Sequence, residues 1–237
     1  SDVVRVRRNG IRFELHLSER IEHQIFYNGA FEAETREVLM ALAKPGMIIF
    51  DVGANIGVHT FYLAKSCIPG GRVYAFEPAA YAFKKLKINS DLNSGLPVTL
   101  INAGLSNENV ENLQTEVACS WPVDTSFDRR AGQAMPNAKV MDDEITLIKL
   151  DDYMATNSIS GVDLIKLDID GNEPKFLDGA AKTIRDNKPI ILFELADFVL
   201  KHYGSSAYEL LRKFSDFGYK IYDEKLEEMP ENFLNSY

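Results

Sequence analysis

Phe50-Asp51-Val52-Gly53-Ala54-Asn55-Ile56-Gly57 decides the fold. The apolar run over residues 47–52 reads as a buried strand, and residues 57–66 read as a helix. Gly53 and Gly57 let the backbone turn tightly between them and approach a ligand. A helix start beyond such a turn offers free N–H groups. Outward from this unit the same alternation repeats. The pattern predicts strands over 72–77, 98–102, 145–150, 161–168, 189–194 and 219–222, and helices over 31–43, 79–93, 173–187 and 207–217. Short apolar strands alternating with helices imply a mostly parallel sheet covered on both faces. Before them, Asn9-Gly10 sits between two alternating segments and predicts a β-hairpin with its arginines on one face. That face is a solvated shield for the core or a patch for an anionic partner. Residues 106–144 carry Trp121, Pro122, Phe127, Arg129-Arg130 and Pro136 and read as irregular. An insertion of this length often shapes a binding pocket. No linker or repeat divides the chain, so residues 1–237 read as one domain with a hairpin extension over 1–30.

Composition narrows the function. The 237 residues carry 26 Lys+Arg and 35 Asp+Glu, a formal net charge of −9. That balance argues against broad nucleic-acid binding, which displaces counterions with a positive surface. Cys67 and Cys119 stand apart from any metal-binding pattern and read as reduced thiols of a cytoplasmic protein. No apolar run approaches the roughly 20 residues that span a bilayer. The chain opens Ser1-Asp2 without an apolar leader, so its start reads as trimmed.

The first chemical signal is the glycine turn with Glu77 at the end of the next strand, where a carboxylate can accept both ribose hydroxyls. Dinucleotide enzymes carry GxGxxG; here Asn55 replaces the second glycine and Asp51 precedes the first. A fixed carboxylate repels a pyrophosphate and suits the cationic amino-acid end of S-adenosylmethionine. A nicotinamide-dependent oxidoreductase is the second reading, and a binding module without turnover the third.

The second signal is Lys166-Leu167-Asp168-Ile169-Asp170-Gly171-Asn172-Glu173, with Glu194 ending the following strand. These acids fall at the carboxyl edge of the predicted sheet, where ligands of open α/β sheets bind. Neighbouring carboxylates raise one another's pKa, so Asp168, Asp170 or Glu194 could serve as a general base. The same three could hold Mg²⁺ or Ca²⁺. Glu173 also fits as a helix N-terminal acid. His202 is a further candidate acid/base or substrate residue, and His59 reads as a packing or surface histidine.

These motifs, together with Ala75-Phe76-Glu77-Pro78 and Phe193-Glu194, closely resemble the FkbM family of S-adenosylmethionine-dependent methyltransferases over about residues 31–222. The resemblance implies the class I methyltransferase fold, a Rossmann-like three-layer α/β sandwich with seven strands, the last antiparallel. Residues 229–237 are a candidate for that last strand. It implies O-methylation of a hydroxyl on a sugar, glycan or glycosylated natural product. Carried over by position, Asp51, Gly53, Ala54, Asn55 and Gly57 form the methionine-end cradle and Glu77 binds ribose. Asn102 and Ala103, with Gly104, wall the adenine side. Asp168 faces the methionine amino group or the substrate. Asp170 stands where the family commonly has Glu. Residues 106–144 and the hairpin would shape the acceptor pocket, with Trp121, Phe127 and Arg129-Arg130 available to a sugar face or an anion.

Overall fold

The computed structural model describes residues 2–120, 139–230 and Phe233. Strands β1 (Val3–Arg8) and β2 (Ile11–His16) form the antiparallel N-terminal hairpin. Asn9 (φ 48°) and Gly10 (φ 89°) both take the positive φ that such a two-residue turn demands. Its inner face, Ile11, Phe13 and Leu15, is buried. The β2 edge does not remain open: Asn93 and Asn89 side chains accept the N–H groups of Arg12 (3.0 Å) and Glu14 (2.8 Å). The arginines divide between two faces. Arg5 pairs with Glu14 at 2.9 Å. Arg8 instead donates to the carbonyls of Ile25 (3.1 Å) and Phe26 (2.6 Å) in the last turn of α1 (Arg20–Asn28), where a cation suits the helix dipole.

Buried Glu22 of α1 accepts the His16 N–H and the Lys85 ammonium, an ion pair that locks the extension to the body. Next come α2 (Ala33–Leu42), β3 (Ile48–Val52), α3 (Thr60–Ser66), β4 (Arg72–Phe76), α4 (Ala80–Leu92) and β5 (Val98–Ile101). A second group follows: β6 (Gly104–Leu105), β7 (Val110–Ser120), β8 (Lys139–Ile148) and α5 (Leu150–Thr156). The chain then runs through β9 (Leu164–Leu167), α6 (Glu173–Gly179), α7 (Ala181–Asn187), β10 (Ile190–Phe193), α8 (Asp197–His202) and α9 (Ala207–Asp216).

The main sheet has the order β10-β9-β3-β4-β5, and every pairing is parallel. Its central strands are apolar on both faces: Ile49, Phe50, Leu164, Ile165 and Leu167 are fully buried. The chain winds outward through β4 and β5 on one side of β3, then returns to β9 and β10 on the other. The β3/β9 junction is therefore the topological switch point, and a crevice opens beyond the strand ends there.

Four further expectations need correction. Among the described residues the sheet has five strands rather than seven. Residues 219–222 supply only an isolated bridge, Tyr222 to Glu228. The Tyr219 hydroxyl donates to the Pro189 carbonyl at 2.9 Å, and Met229 N–H to Ile221 at 2.8 Å, so this segment folds back on residues 223–229. Residues 106–144 are more regular than expected, since β7 and β8 form a long antiparallel ladder beside β6. Trp121, Pro122, Phe127, Arg129, Arg130 and Pro136 lie outside the described residues. The single helix expected over 173–187 is two, α6 and α7, meeting where Gly179 abuts the Ser106 carbonyl. Among the described residues no helix is long and apolar enough to cross a membrane.

Candidate active site

Parallel register places Asp51 of β3 directly opposite Lys166 of β9. Both side chains are buried. Thr60 Oγ1 donates to Asp51 at 2.6 Å. The other Asp51 oxygen, Oδ1, accepts no hydrogen bond and is compensated by the Lys166 ammonium at 3.7 Å. Lys166 Nζ also reaches Asp168 at 3.0 Å and the Gly53 carbonyl at 3.0 Å. Burial would lower the Lys166 pKa, yet Asp168 and Asp51 hold it above the ordinary lysine range. One buried cation thus ties together the glycine turn, the strand β3 acid and the strand β9 acid.

The turn is held as tightly. Gly53 has φ 79°, and a Cβ there would lie 1.8 Å from the Asp168 carbonyl oxygen. Gly53→Ala is expected to cost about 1–3 kcal/mol through overpacking, read as a lower urea midpoint. Glu77 accepts the Asn55 N–H at 2.8 Å on one oxygen and the Ala79 N–H at 2.9 Å on the other. Each oxygen keeps a lone pair for a hydroxyl donor. Burial pushes the Glu77 carboxyl up to about 7 despite these two bonds.

The folded state binds the Glu77 proton more tightly than the unfolded chain does, so its contribution is full below about pH 4.5 and is lost as pH rises to about 7. Comparing urea unfolding at pH 5 and pH 8, Glu77→Gln is expected to gain about 2–3 kcal/mol relative to the unsubstituted protein across that interval.

At the mouth of the crevice, Asp168, Asp170 and Glu194 bring one oxygen each within 4.8 Å of one another. Burial alone would raise Asp168, but Lys166 overrides it and holds the carboxyl below its ordinary range. Asp170 is raised to about 6 by burial and by the charges of Asp168 and Glu173. Glu194 is raised to about 7 by partial burial and by Asp168, Asp170 and Glu32. One carboxylate kept ionised beside another poised near neutrality is the arrangement of a base and its electrostatic support. Glu173 has turned inward: it accepts the N–H groups of Ile169 and Gly171, each at 3.3 Å, and so braces the acid turn.

A cleft of about 760 Å³ covers this edge. Gly53, Ala54, Asn55, Glu77, Asp168, Asp170 and Glu194 all line it. Five other candidates stand outside its wall. Asp51 acts behind it through Lys166. Gly57 packs against Phe61 and Leu86. Asn102 donates to the Glu77 (2.8 Å) and Pro78 (3.1 Å) carbonyls, and Ala103 is buried, while Gly104, Leu105 and Ser106 provide the wall. His202 is exposed and outside the wall; its neighbour Tyr203 lines the cleft. His59, read as a packing residue, is buried but also lines the cleft, with Nε2 3.2 Å from Glu32. Lys166 escaped the sequence reading because its partners Asp51 and Gly53 lie over a hundred positions away. Arg20 and Gln24 of α1 are in the wall too.

The methyltransferase FkbM domain matches residues 51–221, the span that runs from Asp51 through the acid turn and past β10 and α9. The chain belongs to the FkbM methyltransferase family. A relative of this FkbM chain is the hexuronic acid methyltransferase AglP of Haloferax volcanii, 27% identical over 164 residues, 68% of this chain and 61% of that protein. Another is the 31-O-demethyl-FK506 methyltransferase FkbM of Streptomyces tacrolimicus, 24% identical over 158 residues, 57% of this chain and 60% of that one. The matches thus span about three fifths of the length of these two relatives. Among solved structures, the SAM-dependent methyltransferase from Agrobacterium tumefaciens is 14% identical, covering 90% of this chain and 58% of that chain, with a TM-score of 0.48.

Proposed function

We propose that this FkbM-family chain is a single-domain S-adenosylmethionine-dependent O-methyltransferase acting on a hydroxyl of a sugar, glycan or glycosylated natural product. The observation that carries the reading is one crevice lined by Glu77 at one end and by Asp168, Asp170 and Glu194 at the other. Its donor set suits the methyl donor: Glu77 has spare lone pairs for a vicinal diol, and the acids suit a cationic amino-acid end. When bound, S-adenosylmethionine supplies an electrophilic methyl group.

The chain's own residues supply the rest. Glu77 orients the ribose, and the turn from Gly53 to Asn55 walls the methionine side. Asp168, kept ionised by Lys166, stabilises positive charge in the crevice. Glu194, poised near neutral pH, takes the acceptor hydroxyl proton, with Asp170 as its neighbour. Holding the two reactants in line is the larger part of the rate enhancement. The sugar acceptor is supported by the hexuronic acid methyltransferase among the relatives. The net charge of −9 favours a small acceptor over nucleic acid. Cys67, a buried free thiol, is in keeping with a cytoplasmic site of action.

The test is a thermal shift with S-adenosylhomocysteine against NADH, followed by transfer of labelled methyl groups to a panel of glycosides. A ligand that binds only the folded state raises the melting temperature. Stabilisation by NADH alone would sink this reading.

A second reading of the acids rests on their 4.8 Å convergence: a divalent cation held by Asp168, Asp170 and Glu194 would acidify the hydroxyl instead. Loss of turnover in EDTA, restored by Mg²⁺ or Ca²⁺, would select it. Turnover indifferent to EDTA selects the metal-free base.

A further inference from the structure

We propose that Tyr203 is the platform on which the acceptor's sugar ring lies, and hence a specificity-determining residue of this site. The inference rests on the methyltransferase reading above and names where its acceptor sits.

Besides the buried His59, three aromatic side chains line the cleft among the described residues: Phe31, Phe76 and Tyr203. Phe76 is fully buried and belongs to the core. Tyr203 is 53% exposed, too open for a packing role, yet its ring is not a loose surface group. It is seated on the acid turn. Asp170 and Gly171 take consecutive positive φ values, 51° and 92°. A Cβ on Gly171 would lie 2.6 Å from Tyr203 Cδ2. The ring therefore occupies the space that a side chain at position 171 would fill. On another side the His202 imidazole meets it edge-on, at 5.1 Å and 87°. The Tyr203 N–H bonds to the Val199 (3.2 Å) and Leu200 (3.1 Å) carbonyls at the end of α8, which fixes the backbone.

The consequence is a half-open aromatic surface against Gly171, the residue after Asp170, within the cleft that also holds Asp168 and Glu194. A pyranose has an apolar face of C–H bonds and a rim of hydroxyls. An aromatic side chain supplies contact area at low entropic cost, and a few placed polar groups then fix orientation. With its C–H face on Tyr203, a sugar directs a rim hydroxyl toward the carboxylates. Lys175, also in the cleft wall, offers a donor for a second rim oxygen. This also explains why His202 stands outside the wall: it buttresses the ring.

The test is saturation-transfer NMR with methyl α-D-glucopyranoside and methyl α-D-glucuronoside, run without nucleotide. A separate calorimetric titration uses S-adenosylhomocysteine. In the unsubstituted protein the sugar ring protons are expected to receive saturation. Tyr203→Ala is expected to weaken glycoside binding about tenfold, as loss of an aromatic anchor does. Tyr203→Phe keeps the ring and is expected to keep the signal. Both variants are expected to bind S-adenosylhomocysteine as the unsubstituted protein does. A signal that survives in Tyr203→Ala, or that is absent from the unsubstituted protein for both glycosides, overturns the platform. Failure of the nucleotide titration alone overturns the methyl-donor reading and leaves the glycoside result standing.

Discussion

Replacing Lys166 by methionine is expected to destabilise the fold by about 3–5 kcal/mol, because removing one member of a buried charge cluster strands its partners. Asp51 is fully buried, and its Oδ1 has no hydrogen bond to fall back on. Asp168 loses its 3.0 Å ion pair, and the Gly53 carbonyl loses a donor at the same moment. Urea unfolding at pH 7 reads the loss. The double variant Lys166→Met/Asp51→Asn is expected to recover part of it, since a neutral amide at position 51 costs less to bury than an unpaired carboxylate. Equal stability of the single variant and the unsubstituted protein would refute the compensating role of Lys166.

The second large effect is on turnover. Glu194→Gln is expected to lower kcat/KM for methyl transfer by about 10²–10⁴, the range for loss of a general base. In the unsubstituted protein kcat/KM is expected to rise with pH and level off above about 7, where Glu194 becomes ionised. The sign follows from the role: a base works deprotonated, so activity is lost below its pKa. Asp168 supplies part of the charge that raises Glu194. Asp168→Asn is therefore expected to move the midpoint to lower pH, whatever it does to the plateau. The two carboxyls titrate as a pair, and the profile reports the pair. A flat profile between pH 5 and 9 would remove Glu194 from the base role.

Much of this site was legible before folding. The glycine turn, Glu77, Asp168, Asp170 and Glu194 each end a short apolar run. Strand ends in a parallel sheet meet at one edge, so their convergence follows from alternation alone. What escaped depended on distant partners. Helix α1 carries Glu22, Gln24 and Arg20, too polar to read as a packed helix. Its anchoring comes from Lys85, 63 positions away. The ladder of β7 and β8 was hidden by polar, interrupted patterns whose pairing carries two register irregularities. Tyr203 and His202 are adjacent in sequence, and it is the Tyr203 ring that lies in the space beside Gly171 and lines the cleft.

The alternation that builds the parallel sheet and the carboxyl-edge acids follow from local periodicity, and the family from the resemblance of its motifs, none of which needs a long-range contact to read. The five-stranded extent of the sheet, the burial of Lys166 between Asp51 and Asp168, and the separate tuning of Asp168 and Glu194 belong to the tertiary structure. Sheet extent depends on which backbone groups find partners, and a carboxyl's pKa depends on burial and on charges brought near it by folding. The negative charge spread along the chain becomes a graded set of acids only when β3, β9 and β10 are laid side by side.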